Sequence, residues 1–215
     1  DVCSSDLHLR PPLEDRGPRH VDVADEAVLY LLDRLLNRLG AAELHAVLQM
    51  ADVVSPWTPG RYRTPETAAR HAAEVWQPDV AWCRERGLDF LPVAFPGFSW
   101  HNMKAAPLND IPRLGGRFFW SQIAAAKRAG TEMLYVAMFD EVDEGTAIFK
   151  CTNEPPTGNG AKFVTYEGLP SDHYLRLTGL AGKVIRGELP PEDTPPLPAA
   201  PAPARAPVAA NPVAR

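Results

Sequence analysis

The run Met133–Gly145, MLYVAMFDEVDEG, changes character in one step. Six largely apolar residues, Met133–Met138, contain the strand-formers Tyr135 and Val136 and lead through Phe139 into four acids within five positions. These are Asp140, Glu141, Asp143 and Glu144, and Gly145 closes the run. An apolar segment without polar alternation predicts a parallel strand buried on both faces. That requirement narrows the fold to barrels and doubly wound sheets, which keep their chemistry at the C-terminal ends of such strands. Crowding like charges there costs free energy unless a cation, a substrate or a shared proton relieves the repulsion.

The flanking sequence supplies the alternation a parallel sheet needs. Val28, Leu31, Leu32, Leu35, Leu36 and Leu39 recur at helical spacing over about 25–39, with Gly40 as the stop, and a short helical piece follows over 41–49. Asp52–Trp57 reads as a strand ended by Pro56. Thr64-Pro65-Glu66 is a helix start, with Thr as cap and Pro at the first helical position. That helix is predicted to run to about Arg86, kinked or divided at Pro78. Leu88–Phe95 is the next strand, Arg117–Arg128 the next helix, Lys162–Tyr166 a last short strand, and 170–185 a final helix capped by Ser171. Alternating strands and helices predict an α/β fold with parallel strands and right-handed crossovers. Four such units amount to half of a (β/α)8 barrel of the TIM type, which typically needs about 250 residues. The expected division is a disordered or non-native N-terminus over 1–20, a partial barrel domain over 21–187, and a flexible Pro/Ala-rich tail over 188–215. Asp1–Leu7, DVCSSDL, resembles the translation of a sequencing adaptor, so upstream sequence is expected to be missing.

Composition excludes several classes of function. A formal charge of −5 and 23% charged residues give no basic face for nucleic acid. No apolar run approaches the roughly 18–20 residues of a membrane span. The three cysteines, Cys3, Cys83 and Cys151, have no C-x-x-C spacing, so neither a zinc site nor a disulfide framework is indicated. No cofactor is implied. Nothing in the chain specifies an oligomeric state.

Glu141 and Glu144 are the sharpest catalytic candidates. If the chain is extended at Glu141 and turns before Gly145, residues three apart can project into one cleft. Glycoside cleavage uses two carboxyl groups in different protonation states, and neighbouring carboxylates in a partly desolvated mouth have their pKa values driven apart. A solvated acidic loop and a calcium site built on carboxylates and backbone oxygens remain open on spacing alone, although the spacing is not that of an EF-hand loop. Trp57, Arg61 and Tyr62 follow one predicted strand, and Trp100, His101 and Asn102 follow the next. Aromatic rings with amide and imidazole groups suit a sugar site, with apolar platforms for C–H faces and hydrogen bonds for hydroxyls. Asp140 and Asp143 complete the expected substrate-binding set. Trp76, Trp82 and Trp120 lie in helical patterns and are expected in the core.

The segment FDEVDEGTAIFK, Phe139–Lys150, resembles the signature of glycoside hydrolase family 71/99-like proteins, which reads approximately F-N-E-W-H-E-G-T. VVSPWTPGRY (Val53–Tyr62), LPVAFPGFSWHN (Leu91–Asn102), GGRFFW (Gly115–Trp120) and LPSDHYLRLTG (Leu169–Gly179) continue the resemblance in order, over roughly 52–186. It implies a (β/α)8 barrel acting on glycans, with family 99 members cleaving α-mannosidic linkages, and a fragment carrying the second half of the barrel. Glu141 matches the first motif glutamate, which in family 99 acts on the sugar 2-hydroxyl to give an epoxide-like intermediate. Glu144 matches the second, the acid/base at the leaving oxygen. Asp140 stands where Asn is usual, and Val142-Asp143 replaces Trp-His. The resemblance implies a glycan substrate, mannan-like or glucan-like, and a secreted or periplasmic location. The alternative on the same fold is a non-catalytic carbohydrate-binding or scaffold protein whose acidic cluster binds a structural cation.

Overall fold

A computed structural model of the protein describes residues 41–156, 158 and 160–197. The amphipathic helix expected over 25–39, and the tail beyond Leu197, lie outside the described residues. The order of elements is α1 (Ala41–Leu48), β1 (Val53–Val54), α2 (Pro65–His71), a π-turn (Ala72–Trp76), α3 (Gln77–Glu85), β2 (Asp89–Phe90) and β3 (Val93–Ala94). The short α4 (His101–Lys104), a 3-10 turn (Leu114–Gly116), α5 (Arg117–Arg128), β4 (Tyr135–Val136) and α6 (His173–Ile185) follow.

Among the described residues both strand pairings are parallel. Val53 and Val54 pair with Asp89 and Phe90, and Val93 and Ala94 pair with Tyr135 and Val136. The run 89–94 therefore lies between β1 and β4. Pro92 divides it because proline has no N–H to give a ladder, but the Pro92 carbonyl still accepts from Tyr135 N. The described residues contain no closed barrel.

β4 differs from its expectation. Its strand is only two residues long, Tyr135 is exposed and Val136 half-buried, so it is not buried on both faces. The reason is that, among the described residues, β4 has a strand partner only in β3. Lys162–Tyr166 forms no strand, because no described segment offers it a ladder; an isolated bridge at Gly158–Ala161 precedes it.

The helices begin and end where the local chemistry dictates. Thr64 caps α2 with a reciprocal pair of hydrogen bonds to Thr67, and Pro65 opens it. The division expected at Pro78 is present, because proline lacks the N–H that an α-helix needs and the chain passes through the π-turn just before it. α6 starts at His173 with Asp172 at the cap position, rather than at Ser171, and no side chain caps it.

α5 is the organising element. Phe118, Ala125 and Ala126 face a core formed with Tyr62, Trp76, Phe90, Val93 and Phe95. Phe119, Trp120 and Ile123 face a second core with Ile148, Tyr166, Tyr174 and Leu177. Gln122 on the same helix is fully buried and satisfied on both ends of its amide. Nε2 donates to Phe95 O (2.8 Å) and Phe118 O (2.9 Å), while Oε1 accepts from Phe95 N (3.0 Å) and Tyr62 Oη (3.1 Å). It thereby fixes the backbone where β3 gives way to its C-terminal loop. Trp76 and Trp120 are buried as expected, Trp82 is half-buried, and Cys83 is a buried thiol.

The stretch expected to be flexible from Glu188 onward is anchored as far as Leu197. Trp120 Nε1 donates to Glu192 O (2.8 Å), Arg128 pairs with Asp193 (2.7 Å), and Leu189 and Leu197 pack on the second core. Lys127 Nζ caps the end of α6 through Ile185 O (2.7 Å), where a cation is favoured by the exposed carbonyls. No helix among the described residues is long and apolar enough to cross a membrane.

Replacing Gln122 by Leu keeps the volume but strands the N–H and the carbonyl of Phe95 in the core, while the Tyr62 hydroxyl keeps Thr58 and Val93 O as partners. We expect a loss of about 1–3 kcal/mol for each stranded group, read as a lowered denaturant midpoint; an unchanged midpoint would remove this amide from the account.

Candidate active site

The loops that follow β1, β3 and β4 all leave the C-terminal ends of parallel strands, so they gather on one side of the sheet. The chain after β4 turns back on itself. Ala137 N still donates to Ala94 O (2.9 Å), and Met138 N then takes Thr146 O (3.2 Å). Ile148 N and Phe149 N both donate to Phe139 O (3.0 and 2.9 Å), so Phe139 lies beside the returning limb. At the tip, Glu141 O accepts from Thr146 N (3.1 Å) and Ala147 N (2.8 Å), and Gly145 N donates to Val142 O (3.2 Å). Residues 142–145 thus form a reverse turn with Glu141 before it and Glu144 within it. Gly145 has φ +67°, and a Cβ there would come within 2.8 Å of Val164 Cγ2. Glycine is required at that position by conformation and by space.

The two glutamates are half-buried, whereas Asp140 and Asp143 are exposed. Burial raises the Glu144 pKa above the ordinary glutamate value, and the neighbouring charges of Glu141 and Asp143 raise it further. Both effects disfavour the ionised form. Glu141 Oε1 accepts from Asp143 N (3.1 Å). The Glu141 carboxyl is thereby tied to the turn's own backbone.

The loop after β3 holds the turn at two points. Ser99 N donates to Glu144 O (2.7 Å), and Asn102 Nδ2 donates to Asp143 Oδ1 (2.7 Å). Asn102 also clamps Lys162, donating to its carbonyl (3.0 Å) and accepting from its amide (3.0 Å). Both ends of the Asn102 amide are thus engaged by protein, which makes it a bridge to the acidic turn. His101 Nδ1 lies 2.7 Å from Ala106 O. A carbonyl only accepts, so Nδ1 carries the hydrogen and Nε2 of a neutral ring is an acceptor.

The aromatic candidates divide. Trp57 is half-buried, edge-on to Tyr135 with centroids 6.4 Å apart. Arg61 is exposed and folds back, its Nε donating to Trp57 O (3.0 Å). Trp100 is half-buried, but its ring already carries Phe98 (4.4 Å between centroids) and Lys104 Nζ (4.3 Å from the centroid). Tyr62, expected at the sugar site, is instead a core residue only 4% exposed. Its ring packs on Trp76, Phe95 and Phe118, and its hydroxyl bonds Gln122. The spacing that put Tyr62 beside Arg61 could not show that the two side chains part company, one inward and one outward.

The site also contains Arg113, which no sequence pattern singles out, and Tyr166, which stands at the end of the last predicted strand and could line the mouth or pack in the loop. Arg113 is 1% exposed, and its Nη2 donates to Gly145 O (2.7 Å) and Ala147 O (2.9 Å). Tyr166 is fully buried, with its hydroxyl donating to Ala147 O (3.2 Å) and to Phe149 O. No pattern in IPRLGGRFF distinguishes a buried arginine from an exposed one. The described residues bring together no group of three His, Cys, Asp or Glu side chains fit to hold a metal ion.

No family model matches the chain. It is similar to a protein of Danio rerio described as glycoprotein endo-alpha-1,2-mannosidase-like, with 28% identity over 109 residues, covering 48% of this chain and 23% of that one. It also superposes on two structures of the family GH99 endo-alpha-mannosidase of Bacteroides thetaiotaomicron, one of them in complex with bis-tris-propane. Both give a TM-score of 0.55 at 21% identity over 69% of this chain, covering 45% and 43% of theirs. The resemblance carried by the motifs is thereby borne out over part of the chain. The fold is that of part of a TIM-type barrel. The chain spans about a quarter of the curated relative's length, and less than half of the solved structures.

A raised carboxyl pKa means that the folded state holds the proton more tightly than the unfolded chain. The associated stability is complete below the unfolded glutamate value and is lost as pH rises through the folded one. Glu144→Gln should therefore melt above the parent at pH 7, with the difference closing as pH falls below the ordinary glutamate range. A melting difference that does not vary with pH would contradict the burial of this carboxyl.

Proposed function

We propose that this chain carries the carboxyl pair of a glycoside hydrolase acting on α-linked glycans, with Glu144 as general acid/base and Glu141 as the base on the sugar 2-hydroxyl. The observation that carries the reading is the Glu144 carboxyl. It sits in a glycine-closed turn beside Glu141, and burial and its neighbours favour its protonated form. A group that must protonate a leaving oxygen near neutral pH needs that bias. The partial likeness to endo-α-mannosidases supports the same chemistry.

In the first step Glu141 removes the proton from the sugar O2, and O2 attacks C1 as the bond from C1 to the glycosidic oxygen breaks. Glu144 delivers its proton to that departing oxygen, so charge is conserved across the site. In the second step Glu144 takes a proton from water, water adds at C1, and O2 recovers its proton from Glu141. Attack by O2 requires it to stand opposite the leaving bond. An α-mannoside places O2 and the leaving oxygen on opposite faces of the ring, whereas an α-glucoside places them on the same face. The proposed substrate is accordingly a mannan-like glycan rather than a glucan-like one.

The remaining residues have supporting roles in this reading. Trp57 with Tyr135 is the apolar platform for a sugar face. Arg61 and His101 supply hydrogen bonds at the rim, and Trp100 joins them once Lys104 swings off its ring. Asp143 and Asn102 shape the turn, and Asp140 lies at its solvent edge.

Release of reducing ends from α-mannan and α-1,3-glucan oligomers by the full gene product tests the proposal. Glu144→Gln and Glu141→Gln should each lower turnover of the mannan by about 10²–10⁴-fold while glycan binding persists. Unchanged turnover in both variants would remove the assignment.

A further inference from the structure

The acidic turn is held from beneath by a cation. Arg113 is almost fully buried, and it reaches the turn through backbone carbonyls rather than carboxylates: Gly145 O at 2.7 Å and Ala147 O at 2.9 Å from Nη2. Its guanidinium carbon lies 4.9 Å from the ring centre of Tyr166 and 4.5 Å from that of Tyr174. Aromatic faces carry negative charge density, which compensates a desolvated guanidinium. Nε and Nη1 have no protein hydrogen-bond partner among the described residues, so the two carbonyls and the rings are what offset the cost of burying this charge.

The neighbouring chain is shaped to let Arg113 pass. A Cβ on Gly97 would come within 2.7 Å of Arg113 Cγ and 2.8 Å of Ile111 O. The residue that follows the 3-10 turn begins α5, whose Gln122 fixes the base of the loop carrying Ser99 and Asn102. Arg113 therefore sits where α5, the loop after β3 and the returning limb of the turn converge.

We infer that Arg113 is the positioning residue of the carboxyl pair, setting the place of Glu144 through the carbonyls of Gly145 and Ala147. The inference rests on the reading of Glu141 and Glu144 as that pair. Both carbonyls are held by the two in-plane hydrogens of Nη2, and a lysine, whose chain is one atom shorter and whose ammonium hydrogens are not fixed in a plane, does not place a donor there in that orientation. Glu144 lies immediately before Gly145, so a rotation of that carbonyl moves the carboxyl by roughly the 1 Å that costs about a hundredfold in rate. Tyr166, bonded to the carbonyls of Ala147 and Phe149, shares the load on the return limb but does not reach Gly145.

The test compares Arg113→Met and Arg113→Lys with the parent in the full gene product. Amide hydrogen exchange is read at Thr146 and Ala147, whose N–H groups close the turn on Glu141 O. The Glu144 carboxyl is titrated by carbon NMR, with Glu141 and Asp143 as the charges that face it. In Arg113→Met we expect faster exchange at those two amides, with the helix amides of α5 unchanged, and a Glu144 midpoint that falls toward that of an unburied glutamate. On an α-mannan oligomer kcat should fall about a hundredfold with KM within about twofold. Methylguanidine should restore part of the loss in Arg113→Ala. Parent-like exchange and an unmoved Glu144 midpoint in a folded Arg113→Met would overturn the inference. Should Arg113→Met fail to fold, Arg113→Lys carries the same readings, with parent-like values again overturning it. A parent protein without hydrolytic activity defeats the glycosidase reading alone, because exchange and titration still report whether Arg113 sets the turn.

Discussion

The carbonyl oxygen of Glu141 is the pivot of the site. It takes the amides of Thr146 and Ala147 and the hydroxyl of Thr146, and so closes four acidic residues into a single reversal of the chain. An acidic run without that closure would spread its charges into water. With it, Glu144 is drawn into partial burial beside Glu141 and Asp143, and its proton is held more tightly. Everything else near the turn supports this closure. Ser99 and Asn102 grip it from the loop after β3, and Arg113 and Tyr166 grip its returning limb from the core. Behind both grips stands α5, fixed to the end of β3 by the Gln122 amide.

Local chemistry made much of this legible in advance. Thr64-Pro65 announces α2, because caps and breakers act over one or two residues. The abrupt passage from apolar residues to carboxylates located the turn after β4 at the C-terminal end of a parallel strand. Burial was harder to read. Tyr135 belongs to an apolar run, yet it is exposed, since burial of a strand depends on neighbours distant in sequence. Tyr62 and Arg61 are adjacent, yet one enters the core and the other does not. Arg113 is the extreme case. Only the tertiary approach of two carbonyls and two tyrosine rings makes its burial tolerable, and none of those partners lies within thirty residues of it.

The same logic explains how two short parallel strand pairs can present two neighbouring carboxyls on one turn. Barrel enzymes assemble their chemistry from loops at one end of the sheet, and each loop is positioned mainly by its own strand and the helix behind it. Here β3, β4 and α5 suffice to fix the turn and its two grips. The aromatic platform is less complete: Trp57 has Tyr135 beside it, and Trp100 is occupied by Phe98 and Lys104. The acidic turn is thus more firmly built than the proposed sugar platform, which in a fold of this type draws on loops from the whole ring.

In the proposed reaction Glu141, just before the turn, and Glu144, within it, face one sugar ring. A crystal structure of the Glu144→Gln variant of the full gene product with an α-linked manno-oligosaccharide tests it most directly. The account predicts the glycosidic oxygen at about 3 Å from the side chain at position 144, with the ring O2 at a similar distance from Glu141. A saccharide seated away from the turn, or one whose O2 points away from Glu141, would contradict it.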